Sequence, residues 1–308
     1  MKNDDSAIAT EEPALRVRPA SGLLWGLLGV LAFSFTIPFT RVADGGLSPL
    51  FIGAGRAVVA AVLAAAGLRL SGQPCPSSRQ WLRLAWVAGG VVVGFPLLTS
   101  YALTSVPAGH GAVIIAVLPA ATAVAVVIRS GEHQPWLFWI VAGIGALAAI
   151  GFALDQGGGY GSVRWADILL FGAVAAAAVG YAEGGLLARE LGAWQTVSWA
   201  LLLVSPGMLA LLGVAVLRDA PSATAAQWAA FGYLAVVSAF LGFFAWYRGL
   251  ALGPMARVSQ VQLVQPVFSI CWAGLLLHER LTPATAAGAV VVVGCAFVAV
   301  RVRLNQAR

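Results

Sequence analysis

Two stretches decide the fold when they are laid side by side: 101-YALTSVPAGHGAVIIAVLPAATAVAVVIRSGEHQPW-136 and 247-YRGLALGPMARVSQVQLVQPVFSICWAGLLLHERLTPATAAGAVVVVG-294. Each opens on a tyrosine, breaks at a proline, and then runs apolar with a second proline in mid-run. Each run closes on a glutamate. Pro107 and Pro254 are 147 residues apart, and so are Pro119 and Pro266, Glu132 and Glu279, and Trp81 and Trp228. A bilayer crossing needs about 20 apolar residues. The runs are continuous rather than alternating, so they read as transmembrane helices and not as barrel strands.

Working outward, the same texture fills the chain. Of 308 residues, 60% are hydrophobic, 10% are charged and 36 are glycine. A soluble domain holds about 25% charged residues, so this composition excludes an ordinary soluble enzyme, a disordered chain and a disulfide scaffold. Ten apolar segments are marked at 22–41, 48–69, 81–105, 107–128, 135–154, 165–188, 193–217, 226–250, 254–277 and 283–302. The predicted fold is an all-α polytopic membrane protein of ten transmembrane helices. Residues 22–154 and 165–302 form two repeats of five spans, joined by a linker at 155–164 that contains 155-DQGGGYGS-162. Residues 1–21 lack the apolar core of a signal peptide and read as a flexible cytoplasmic tail; 303–308 read as a second tail. Five is odd, so the second half enters the membrane in the opposite sense. That is an inverted-topology repeat, a plan common among transporters with a midplane site.

Orientation follows from arginine. With the N-terminus in the cytoplasm, eleven basic residues fall on the inner side and four (Arg41, Arg164, Arg218, Arg280) on the outer side. This positive-inside bias predicts an inner (plasma) membrane protein with both termini cytoplasmic. The net charge of +6 does not indicate nucleic acid: a single lysine, Lys2, stands among the 18 basic residues, and the arginines are scattered singly. No basic face exists to follow a phosphate backbone. Cys75, Cys271 and Cys295 have no metal-ligand spacing, and His110, His133 and His278 share none. No hydrolase, zinc-protease or phosphate-loop motif occurs. The reading therefore calls for no cofactor, no metal and no catalytic residue. Its partners are a small-molecule solute and the bilayer, around a monomer or homodimer.

The quoted stretches resemble the EamA domain of the drug/metabolite transporter superfamily, in the aromatic residue ending spans 3 and 8, the mid-span proline and the glutamate after spans 4 and 9. Arg56 in span 2 also matches a family arginine. The resemblance implies ten helices and export of small metabolites, often amino acids, with aromatic amino-acid exporters as one branch. It also implies alternating access to a cavity lined by spans 1, 3, 4, 6, 8 and 9. An intramembrane enzyme acting on lipid, or a lipid or nucleotide-sugar carrier on the same fold, stands as the alternative.

Polar side chains inside spans are costly and are functional candidates by default. Span 9, 257-RVSQVQLVQPVFS-269, is the richest. At about 100° per residue, Gln262, Gln265 and Ser269 share a narrow arc, with Gln260 and Arg257 on a neighbouring face. The arc reads as cavity lining, with interhelical hydrogen bonding as the plainer role. Tyr101, His110 and Trp246, in spans 3, 4 and 8, complete the candidate substrate-binding set. Pro119 and Pro266 are candidate hinges that loosen hydrogen bonding around Ile115 and Gln262. Glu183 is expected about 9 Å below the cytoplasmic end, with three roles open: a gate pair with Arg248 or Arg257, a proton carrier, or a snorkelling side chain. Arg56 is expected to be structural, bound to helix-end carbonyls or to Asp44. Glu132 and Glu279 are expected to cap the helices that start at Pro135 and Pro283, with Thr282 as N-cap of the latter. Spans 5 and 10, rich in small residues, are expected to be scaffolding.

Overall fold

The computed structural model describes residues 19–130, 136–156, 164–252, 258, 261–279 and 282–306. All regular structure among them is helical: α1 (Pro19–Ser34), α2 (Thr36–Asp44), α3 (Pro49–Ser71), α4 (Ser78–Val87), α5 (Phe95–Ala102), α6 (Ala108–Ile115), α7 (Leu118–Ser130), α8 (Trp136–Gln156), α9 (Trp165–Leu191), α10 (Ala193–Arg218), α11 (Ala225–Gly232), α12 (Gly242–Leu252), α13 (Gln265–Leu277) and α14 (Pro283–Gln306). Among the described residues, seven stretches are long and apolar enough to cross a bilayer: Ser21–Asp44, Pro49–Ser71, Ser78–Ala102, Ala108–Arg129, Trp165–Leu191, Ala193–Arg218 and Ala225–Leu252. Shorter apolar helices occupy Trp139–Gly151, Gln262–Leu277 and Thr285–Cys295. Large apolar side chains such as Leu24, Val62, Leu147 and Val290 project outward, as a lipid-facing surface requires and a soluble one does not tolerate in bulk.

Local sequence explains the starts, stops and breaks. Ser48, in extended conformation, accepts from the Phe51 N–H at 3.3 Å, with Pro49 in the first turn, and Gly72 ends α3 at φ 60°, where a β-carbon would be strained. Ser77 with Gln80, and Thr224 with Gln227, form two capping boxes 147 residues apart. π-Helical segments follow each, at Ala88–Gly94 and Tyr233–Leu241. The first precedes Pro96, which has no N–H to return to Val92. The prolines at 119 and 266 sit at the second residue of α7 and α13, two helices of 13 residues that begin 147 apart. The break before α13 is a tightening rather than the loosening expected at Gln262: Gln262–Val264 is a 3₁₀ turn, and the Gln262 carbonyl accepts from the Gln265 N–H.

α3 packs along α10, α1 along α12, α5 and the first π segment along α9, α6 against α13, and α8 along α14. Small residues set the closest approaches. A methyl at Gly90 would meet the Ala176 carbonyl and Gly180, and one at Gly249 would meet the backbone of Gly22 and Gly26. Without such glycines the backbones could not approach so closely.

Candidate functional site

Pro38 lacks an N–H, so the Ser34 carbonyl is released from the helix ladder, and α1 breaks at Phe35 into α2. Ser269 on α13 donates to that carbonyl at 2.8 Å. The Trp272 indole donates to Ser34 Oγ at 3.0 Å, and the ring stacks on Phe35 at 4.5 Å. Across the same level, Thr36 and Ser238 hydroxyls meet at 2.8 Å. The α1–α2 break, α13 and the second π segment thus supply polar atoms to one layer.

Gln262 and Gln265 lie in that layer, 2% and 7% exposed. Both Gln262 side-chain polar atoms and Gln265 Oε1 have no hydrogen-bond partner. A buried amide without partners is costly, and such groups ask for a functional reason. With Ser269, Pro119, Pro266 and Ile115 they line a small cavity of ≈ 10 Å³, which is water-sized. Gln265 also lines a second cavity of ≈ 10 Å³, with Arg56, Thr36, Ser238 and Tyr181. The polar layer is therefore closed.

Charged pairs lie toward both ends of α9. Toward its C-terminus, Glu183 accepts from Arg83 Nε through Oε1 and from Arg129 Nε through Oε2, the latter at 2.7 Å. Arg83 also donates to Glu190 at 2.5 Å. Near the N-terminus of α9, Asp167 Oδ1 lies 2.6 Å from His110 Nε2 in a buried pair. Asp167 Oδ2 accepts from the Arg164 N–H at 3.2 Å. Glu279 accepts from the N–H groups of Ala108 and Gly109, at 2.8 and 2.9 Å. Sixteen residues from Asp167 to Glu183 amount to about 24 Å at helical rise, and the α6–α7 rod is tied to α9 near both ends. A larger cavity of ≈ 600 Å³ opens beside the Glu183 cluster, walled by Trp86, Ala121, Ala125 and Ala178, with Arg129 and Glu183 at its edge.

Several expectations are corrected. Glu183 pairs with Arg83 and Arg129, not Arg248, whose guanidinium stacks over the rings of Trp25 and Phe244 at 5.0 and 5.7 Å. The Glu183 side chain is 4% exposed, so it does not snorkel. Arg56 does not reach Asp44, which pairs with Arg41 at 3.3 Å. Glu279 is a cap, but of α6 rather than α14, because the 171-residue sequence separation is closed by the packing of α13 on α6. Thr282 accepts from the Thr285 N–H at 3.1 Å, as expected of the N-cap of α14. Tyr101 is 45% exposed and lines none of the cavities above. Trp246 is buried in the α1–α12 crossing, its ring 6.0 Å from that of Tyr181, and also lines none of them. Gln260, Arg257 and Glu132 lie outside the described residues. Arg56, Tyr181, Thr36, Ser238 and Asp167 were missed as site residues; the signal for Arg56 was present as a lone mid-span cation.

The family model described as "EamA-like transporter family" matches the chain twice, at residues 20–154 and 164–301. A Bacillus subtilis (strain 168) protein named "Uncharacterized transporter YdeK" is 41% identical over 292 residues, covering 92% of this chain and 98% of its own. A Streptantibioticus cattleyicolor protein named "Probable terminal-alkyne amino-acid exporter" is 25% identical over 260 residues, covering 82% and 86%. A solved structure described as "Crystal structure of protein" shares the fold with a TM-score of 0.62 at 19% identity, over 92% of this chain and 98% of that one.

Proposed function

The chain belongs to the EamA-like transporter family, and from that premise we propose that it exports small metabolites, amino acids foremost, across the inner membrane by alternating access. The observation that carries the reading is the closed polar layer around Gln262 and Gln265, where both Gln262 amide atoms and Gln265 Oε1 are buried without partners. A solute binding there would satisfy atoms that the fold leaves unsatisfied. The distant relative named as a probable amino-acid exporter supports the solute class.

The architecture in this reading is ten spans in two inverted five-span halves, with both termini cytoplasmic. The helix pairing supports it. Counted as spans, the neighbours are 2 with 7, 4 with 9, 5 with 10, 1 with 8 and 3 with 6. Exchanging the halves leaves that set unchanged, as a two-fold relation demands. The capping boxes and paired breaks at the same 147-residue spacing support it further.

Alternating access then needs two closures that open in turn. The Arg83–Glu183–Arg129 cluster closes the cytoplasmic end, and the His110–Asp167 pair with the Glu279 cap closes the other. One contact of each, Arg129–Glu183 and His110–Asp167, joins α9 to the α6–α7 rod, so rocking that rod strains one while relieving the other. The engagement of both Glu183 oxygens by arginine favours a gate over a proton carrier, because each arginine stabilises the charged carboxylate. Counterflow in proteoliposomes loaded with a panel of L-amino acids tests the function. Accumulation of at least one labelled amino acid is the expected result; turnover of labelled lipid without any counterflow overturns it in favour of an intramembrane enzyme.

A further inference from the structure

We propose that Arg56 is the anion-binding residue of the central site, its guanidinium holding the carboxylate of the solute. The proposal rests on the exporter reading and names the group by which the solute is recognised.

Arg56 lies seven residues beyond Pro49 on α3, about 10 Å along the helix from its start. It is 2% exposed, and its Nε and Nη1 have no hydrogen-bond partner. The nearest acid expected from sequence, Asp44, is engaged by Arg41 instead. Tyr181 lines the same cavity as Arg56, and no carboxylate is among its described lining residues. Charged side chains are almost never fully buried unless paired, and because a guanidinium keeps its charge, a buried one is costly until an anion meets it. The planar fork of guanidinium matches a carboxylate with two parallel hydrogen bonds.

The surroundings select among anions. Thr36, Ser238 and Gln265 share the cavity with Arg56. Gln265 Oε1 is an acceptor without a donor, and it suits an ammonium group rather than a second anion. Phe33 and Phe243, with ring centroids 4.8 Å apart, line the same cavity and would face the solute's apolar part. Carboxylate, ammonium and apolar body together describe an α-amino acid with an apolar side chain. The cavity is ≈ 10 Å³, so admission of such a solute requires its walls to separate. Each π segment contributes one wall residue, Val91 and Ser238, and π segments are frequent at functional sites.

The test is calorimetric titration of the full chain in lipid nanodiscs with L-leucine, L-methionine and L-phenylalanine, each against its carboxamide. The amides keep size, apolar body and ammonium but lack the anion. At least one acid is expected to bind tenfold or more tightly than its amide. Arg56→Gln is expected to erase that ratio, and Arg56→Lys to retain part of it. Should Arg56→Gln fail to fold, the acid-to-amide ratio on the natural chain and on Arg56→Lys decides. Acid and amide binding within threefold of each other, binding of no acid, or an undiminished ratio in Arg56→Gln overturns the assignment. Counterflow separates the two claims. Amides carried as fast as acids remove Arg56 from recognition and leave the exporter standing. Acid-selective binding without counterflow leaves the site and removes the exporter.

Discussion

Replacing Glu183 with Gln tests the proposed cytoplasmic closure directly. Glu183 holds Arg83 and Arg129 through separate oxygens, and its own side chain is 4% exposed. Arg83 is 15% exposed and keeps Glu190; Arg129 is 54% exposed and can return to water. Gln still accepts one hydrogen bond, so the loss is one charge-assisted bond plus the charge on the other. A bond to a charged group contributes about 1.5–3 kcal/mol. If the pairing exists only in the closed form, the open population rises by roughly 10- to 100-fold, since about 1.4 kcal/mol is a factor of ten. The assay uses a chain with Cys75, Cys271 and Cys295 replaced by Ser and a reporter Ala112→Cys. Ala112 is 2% exposed in the layer between the two closures. A membrane-impermeant thiol reagent added from the cytoplasmic side is expected to label it 10- to 100-fold faster in Glu183→Gln. Glu190→Gln is the control: Glu190 is a 46% exposed carboxylate whose pair with Arg83 is worth at most about 1 kcal/mol, so labelling changes by less than about fivefold. An unchanged rate in a folded Glu183→Gln protein, or an equal effect of both changes, refutes the gate.

Four further outcomes are expected. Gln262→Leu and Gln265→Leu lower counterflow tenfold or more at normal membrane expression, whereas a normal rate in both and in the double variant returns the pair to packing. Asp167→Asn weakens the His110 pair and raises labelling of the same Ala112→Cys reporter from the opposite side, with no rise from the cytoplasmic side. Gly90→Val drives a side chain into the Ala176 carbonyl and Gly180 and lowers the midpoint of thermal unfolding in detergent, at a cost of about 1–3 kcal/mol; an unchanged midpoint contradicts the close helix approach. Reporter fusions at Arg308 and in the 218–222 loop place the former in the cytoplasm and the latter outside, and a periplasmic C-terminal signal sinks the ten-span arrangement.

Helix existence was legible because an apolar run in lipid has one outcome, whatever it packs against. Spacing was legible too. The 147-residue offset between Pro119 and Pro266 also aligns the starts of α7 and α13 and the two capping boxes. Partner choice was not legible. Glu183 and Arg83 are 100 residues apart, and sequence gives their depth in the membrane but not how each helix is turned. Arg248 lay at a suitable depth for Glu183, yet its helix directs it to Trp25 and Phe244. Glu279 shows the same limit. Its position before α14 implied a cap, and the helix it caps is the one that packing brings nearest.

The comparison of the two halves separates scaffold from chemistry. Breaks, caps and π segments recur in both, because each half must solve the same packing problem. Several polar side chains of the central layer and of the Glu183 cluster do not recur. Gln262 and Gln265 have Ile115 and Leu118 at the equivalent positions 147 residues earlier, and Arg83 and Arg129 have Ala230 and Leu276 147 residues later. In a two-fold scaffold with one central site, each symmetry-related pair of positions faces the same solute from two sides. A cationic or amide group on one side against an apolar group on the other gives that site a direction, which a chemically asymmetric solute can match in one orientation. The same asymmetry holds at the ends of α9, where a carboxylate sits between two arginines toward one end and an imidazole–carboxylate pair lies toward the other; in the proposed reading these are the two closures. Closures of unequal strength set an unequal balance between the two facing states, so a change at Glu183 and a change at Asp167 should move that balance in opposite directions.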